Sequence, residues 1–184
     1  MFLRLLFIIL IIFTNSCSKK EEKISIIKEK EINLQMIDAY KEGVEAFEQG
    51  DVLFAAKKFN EAEILFPQSK WAARSILMAA YSYYSQDYYY DTISELERFI
   101  QKYPKHERLN YAHFLLAICY YEQIVDEKKD IGPLLNAQKE FKFIIKNYPD
   151  SDFALDSKFK LDLINDVLAS KEIFLGRYYM KKEN

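Results

Sequence analysis

The sequence predicts an all-α solenoid of helical hairpins, about three repeats followed by a long C-terminal helix, and three observations carry that prediction. The first is composition. Half of the 184 residues are apolar, yet the chain holds only four glycines and four prolines, too few turn-formers for a many-stranded β fold. The second is punctuation. Three of the prolines directly follow an aromatic that ends an apolar-periodic run, in Phe66-Pro67, Tyr103-Pro104 and Tyr148-Pro149, at spacings of 37 and 45 residues. Periods in that range mark hairpin solenoids. The third is a set of small and aromatic residues at fixed offsets from those prolines.

Setting each proline at position 32 of a tetratricopeptide repeat places Gly43, Ala55, Phe59, Ala62 and Pro67 at positions 8, 20, 24, 27 and 32 of the first unit. Small residues at these places let two helices approach, an aromatic fills the remaining gap, and proline closes the second helix. In the second unit Ala80, Tyr83 and Pro104 fit, whereas Thr92, Leu96 and Phe99 replace the small–aromatic–small set. The third unit fits with Ala137, Phe141, Ile144 and Pro149. Its first helix comes into phase, with Ala117 and Tyr120 at positions 8 and 11, once an insertion of eight residues around Val125 to Pro133 is allowed.

The elements follow in order. A first helix over 36–49 ends at the Gly50-Asp51 turn, and a second over 52–66 stops before Pro67. Ser69 offers an N-cap for a third helix over 70–85. The fourth runs over 89–103 and stops before Pro104; the fifth covers 108–124. The charged stretch ending in Gly132-Pro133 reads as loop, so the sixth helix is expected over 134–148. Ser151 and Asp152 offer an N-cap for a seventh over 152–181, with a possible kink at Gly176. Phe153, Leu155, Phe159, Leu161, Leu163, Ile164, Val167 and Leu168 give that last helix a broad apolar stripe.

The first residues read as an address. Arg4 precedes the apolar run Leu5 to Phe13, too short to cross a bilayer but suited to a signal peptide over residues 1–16. Thr14-Asn15-Ser16-Cys17 resembles the lipobox of bacterial lipoproteins, although Thr14 stands where leucine is usual. The resemblance implies cleavage before Cys17, lipidation of its thiol and, with Ser18 following, an outer-membrane address facing the periplasm. Each buried CH2 contributes roughly 0.8 kcal/mol, so several acyl chains together give a firm anchor. A plain secretory signal with an incidental cysteine, or an uncleaved helix, is the alternative. Residues 17–33 then form the lipidated cysteine and a charged tether, and residues 34–184 the repeat domain.

In hairpin arrays the first helices line the concave face. The repeat phase puts Ile37, Tyr40, Val44 and Phe47 there in unit one, Arg74, Leu77, Tyr81 and Tyr84 in unit two, and Tyr111, Phe114, Ile118 and Tyr121 in unit three. Such a stripe suits an extended peptide rich in aromatics, because rings bury area while hydroxyls keep polar contacts satisfied. The competing reading buries half or more of these side chains as core, leaving Arg74, Tyr84 and Tyr121 as the most exposed. Enzyme chemistry finds little support. The sequence offers no catalytic constellation, cofactor loop, nucleophile elbow or metal-spaced cluster. Cys119 reads as a buried small hydrophobe, His113 as a satisfied or surface histidine, and the pairs Glu61/Glu63 and Glu95/Glu97 as solvated faces. A net charge of −2 argues against a nucleic-acid partner.

The stretch from Asp38 to Pro149 resembles the BamD family of outer-membrane assembly lipoproteins. The matching residues are Gln49-Gly50-Asp51, Ala72 to Tyr84, Glu97-Arg98-Phe99-Ile100 with Tyr103-Pro104, Asn110-Tyr111-Ala112 and Tyr148-Pro149-Asp150-Ser151. Ala169-Ser170-Lys171-Glu172 and Arg177-Tyr178-Tyr179 look like the family's helix leading into a further repeat. The resemblance implies a non-catalytic scaffold that docks on the β-barrel insertase BamA beside other assembly lipoproteins and receives unfolded outer-membrane β-barrel precursors. Family members continue past the Arg-Tyr-Tyr helix and make their main BamA contact there. Against that pattern this chain reads as truncated, with Ile173, Leu175 and Tyr178 left uncovered and BamA docking open to question. A different repeat lipoprotein, coordinating envelope constriction with cell-wall synthesis, is the alternative function.

Overall fold

A computed structural model describes residues 21–123 and 131–182, and among them every regular element is an α-helix. The helices are α1 (Glu21–Glu48), α2 (Val52–Leu65), α3 (Lys70–Tyr84), α4 (Tyr89–Lys102), α5 (Leu109–Glu122), α6 (Gly132–Asn147) and α7 (Asp152–Lys182). Each packs on the next, and α5 also touches α7, the neighbour relation of stacked hairpins.

The turns repeat because the sequence repeats. The aromatics before the three prolines, Phe66, Tyr103 and Tyr148, leave the helix with φ of −142°, −125° and −135°. Proline's ring bars the residue before it from the helical region, which ends α2, α4 and α6 at the same place. In all three turns that aromatic's carbonyl accepts from the N–H three residues on, in Ser69, His106 and Ser151, at 3.0–3.1 Å. Gly50 takes a φ of +82°, a conformation open to glycine, and Asp51 then caps α2 by accepting from the Phe54 N–H at 3.1 Å. Ser69 caps α3 as expected, accepting from the Ala72 N–H at 3.1 Å. The Ser151 hydroxyl instead donates back to the Tyr148 carbonyl, and Asp152 supplies an acidic first turn to α7.

Repeat-equivalent positions are core positions. Ala55, Thr92 and Ala137 are fully buried, as are Phe59, Leu96 and Phe141, and as are Ala62, Phe99 and Ile144. The second hairpin thus exchanges small–aromatic–small for Thr–Leu–Phe without losing the packing. A Cβ on Gly43 would lie 2.9 Å from the Phe59 ring, so the first hairpin needs glycine where the others hold Ala80 and Ala117.

Two boundaries differ from expectation. Helix α1 begins at Glu21 rather than 36, running through most of the stretch read as a tether. Glu and Lys, which dominate this stretch, are good helix formers, so its sequence suits a helix as well as an open chain. Gly132-Pro133, read as loop, opens α6: proline at the first turn gives up an N–H that has no helical partner anyway. Residues 125–130 of the expected insertion lie outside the described residues. Helix α7 continues unbroken through Gly176, and Ile173, Leu175 and Tyr178 are exposed on it.

Candidate functional site

The first helices of the repeats, α1, α3 and α5, together with the start of α7, meet along a ladder of rings. Tyr40 on α1 stands edge-on to Phe59 at 5.2 Å and to Trp71 on α3 at 5.0 Å. Phe47 lies 5.6 Å from Tyr81. On the far side Tyr111 and Phe114 of α5 contact Phe153 of α7 at 5.9 and 5.0 Å, and the Lys160 ammonium sits 4.7 Å over the Tyr121 ring. Rings at these separations interact beyond their buried area alone.

Two hollows open along this ladder. One, of about 420 Å3, lies between α1 and α3, with Met36, Ile37, Tyr40, Val44 and Trp71 as its apolar walls and Lys41 and Glu45 also lining it. The other, of about 230 Å3, lies between α3 and α5 and is lined by Arg74, Leu77, Met78, Tyr81, Arg108 and Tyr111. Arg74 joins them, its guanidinium 5.8 Å over Tyr40 and 5.3 Å over Trp71.

Of the residues predicted for the groove, Tyr40, Arg74, Leu77, Tyr81 and Tyr111 line the two hollows, and Phe47 touches them through Tyr81. Tyr81 is 41% exposed and Arg74 is exposed. Phe114 is half-buried against Phe141 and Phe153. Tyr84 and Tyr121, expected to be among the most exposed, are half-buried: Tyr84 packs into the core on both sides of α5, and Tyr121 is covered by Lys160. Ile118 is core, packed with Leu134 and Phe141. Cys17 lies outside the described residues. Trp71, Arg108 and Phe153 are the residues that repeat phase alone missed. Trp71 stands three residues before Arg74, one helical turn away, and that spacing was its only signal.

Burial governs the ionisable groups behind this face. It pushes the Tyr111 phenol up to about 12 and raises that of Tyr84, so both stay neutral hydrogen-bond donors at ordinary pH. The Cys119 thiol, fully buried, is likewise pushed up to about 12, as a small apolar filler should be. His113 is buried between α5 and α6, with Nδ1 2.7 Å from a Glu140 carboxylate oxygen and its ring 4.1 Å from Phe143. Among the described residues no group of three or more His, Cys, Asp or Glu side chains is arranged to hold a metal ion.

The opposite layer, formed by second helices, corrects one reading. Glu63 is only 1% exposed, not a solvated face. Its carboxylate accepts from Arg98 Nη1 at 2.9 Å and from Lys102 Nζ, both on α4. Arg98 also binds Glu95 at 2.6 Å and donates to Asn60 at 2.7 Å, while Asn60 donates to Glu95 at 2.7 Å. Glu95, also read as solvated, is largely covered in the same cluster, whereas Glu61 and Glu97 do stay exposed.

A family model described as an outer membrane lipoprotein, YfiO, matches residues 33–184. The chain belongs to that family. It is similar to the outer membrane protein assembly factor BamD of Caulobacter vibrioides, at 36% identity over 90% of this chain and 53% of that one. The BamD of Rickettsia prowazekii is 32% identical over 79% of this chain and 58% of its own length, and that of Neisseria gonorrhoeae 27% over 78% and 57%. The chain therefore spans a little over half the length of these relatives.

Proposed function

We propose that this YfiO-family chain is a lipid-anchored scaffold on the periplasmic side of the outer membrane, acting in the machinery that inserts β-barrel proteins. Its part there is to hold extended segments of unfolded barrel precursors along the first-helix face, beside the insertase BamA and other assembly lipoproteins. Family membership over residues 33–184 supports the setting, and the names of the relatives support the process. The observation that carries the binding role is the pair of ring-walled hollows between successive first helices. They are open, apolar and edged by hydroxyls and cations, which suits adaptable, micromolar contact with aromatic-rich chain better than a tight receptor site. Anchoring falls to Cys17, whose acyl chains would hold the repeats at the membrane surface.

A mild-detergent pull-down with the full chain tests this reading. Recovery of a β-barrel insertase supports it; recovery of a cell-wall synthase in its place overturns it. Replacing Cys17 with Ala should release the chain from the membrane fraction, and unchanged fractionation and mass would remove the anchor from the account.

A further inference from the structure

We propose that the α3–α5 hollow is a carboxylate subsite, taking an acidic side chain of the extended peptide while the neighbouring rings hold its apolar residues. The proposal rests on the groove reading above and names the chemistry of one place within it. Two guanidinium-bearing side chains, Arg74 from α3 and Arg108 from the start of α5, line the same small hollow. Both residues are exposed, and among the described residues neither guanidinium has a carboxylate partner: Arg74 lies over two rings, and the hydrogen bonds of Arg108 are made by its backbone, the N–H donating to His106 Nδ1 and the carbonyl accepting from the Ala112 N–H. Arg98, by contrast, is fully occupied by Glu63, Glu95 and Asn60.

The walls strengthen the case. Leu77 and Met78 keep the floor apolar, which raises the attraction of cations for an anion beside them. Tyr111, held neutral by burial, and Tyr81 add hydroxyl donors at the edge. Guanidinium forks favour planar, two-oxygen acceptors, so a carboxylate fits better than a lone hydroxyl or carbonyl. Position decides which carboxylate. The hollow sits within the ladder, with the Tyr40–Trp71 rings on one side and the Phe114–Phe153 rings on the other. A chain lying along the ladder passes through it, so a side chain within the peptide reaches it and the chain end need not.

Three aromatic-rich peptides measured by fluorescence anisotropy against the full chain in detergent provide the test. The first carries a central Asp and an amidated C-terminus, the second has Asn in its place, and the third is the Asn peptide with a free C-terminus. The Asp peptide should bind roughly three- to tenfold more tightly than the amidated Asn peptide, a modest gain because the arginines are exposed. On an Arg74→Gln/Arg108→Gln chain the gap should close, with an unchanged helical spectrum showing that the fold is intact. Equal binding of the Asp and Asn peptides to the unaltered chain overturns the subsite and leaves the groove standing. Tight binding of the free-terminus peptide overturns the assignment to a side chain. No binding by any peptide overturns the groove reading and the subsite with it.

Discussion

Between the first and second repeats, helices α1 and α3 meet through rings, whereas α2 and α4 meet through charges. On the ring side Tyr40, Trp71, Phe47 and Tyr81 touch edge to face and remain partly open, and Trp71 and Tyr81 are each 41% exposed. On the charge side Glu63 is out of water and its carboxylate is taken up by Arg98 and Lys102. A buried carboxylate is tolerable only with such partners, so this contact has one good geometry and resists exchange. A ring pair adds only about 0.5–1.5 kcal/mol beyond the area it buries, and an apolar side chain that slides between two rings restores that burial. The difference separates two roles: the second-helix layer fixes how the repeats stack, and the first-helix layer keeps open the rings on which the proposed peptide binding rests.

The largest way to break this division is from beneath. Phe59→Ala empties the fully buried site that abuts Gly43 and supports Tyr40, and should cost roughly 3–5 kcal/mol, read as a large fall in the urea or thermal midpoint. Both layers should fail together.

Arg98→Ala attacks the charge side alone. It leaves Glu63 buried with Lys102 as its remaining cation, a cost of about 1–3 kcal/mol, limited because Arg98 is itself partly exposed. Equilibrium unfolding should show the loss while peptide binding persists in the folded chain.

Alkaline pH sharpens the comparison from the other side. The folded state holds protons on Tyr111, Cys119, Tyr84 and Tyr120 more tightly than an unfolded chain does, chiefly through burial. Stability from these groups is therefore intact below the ordinary values of 9.0 for the thiol and 10.0 for the phenols, and is lost as pH rises from there towards about 12. Melting midpoints should fall over that window, with the absorbance of the buried phenols' tyrosinates appearing as the core loosens. The charge side keeps its guanidinium throughout.

The smallest effect on stability and the most selective on function belongs to Tyr81→Ala. Losing this half-open ring and its contact with Phe47 should lower stability by about 1 kcal/mol or less, yet weaken capture of an aromatic-rich peptide several-fold by anisotropy.

Much of this was legible in the sequence because it depends on local rules. The aromatic–proline pairs set the helix ends, and Gly43, Ala55, Phe59 and Ala62 fell on the packed side of the first hairpin as their repeat positions demand. The ring-lined face was legible in outline, since Tyr40, Arg74, Leu77, Tyr81 and Tyr111 line its hollows. How far each side chain protrudes was not, because that depends on the neighbouring repeat: α7 supplies the Lys160 that covers Tyr121. The Glu63 cluster was missed for a different reason. Judged along one helix, Glu61 and Glu63 look solvated, but Glu63 finds its partners 35 and 39 residues on, close to the 37-residue repeat spacing. Opposite charges one repeat apart on stacked helices are a signal that single-helix reading cannot see.

The division of labour between the two layers is tested most directly by a photocrosslinking residue placed at Tyr81 on α3 and, separately, at Ile64 on α2. Both positions are exposed, Ile64 the more so at 70%, so accessibility alone would favour capture on the second-helix side. With unfolded β-barrel precursor added to the full chain, crosslinks should form from position 81 and be weak or absent from position 64. Capture from 64 with none from 81 would place binding on the charge-stapled layer and contradict the account.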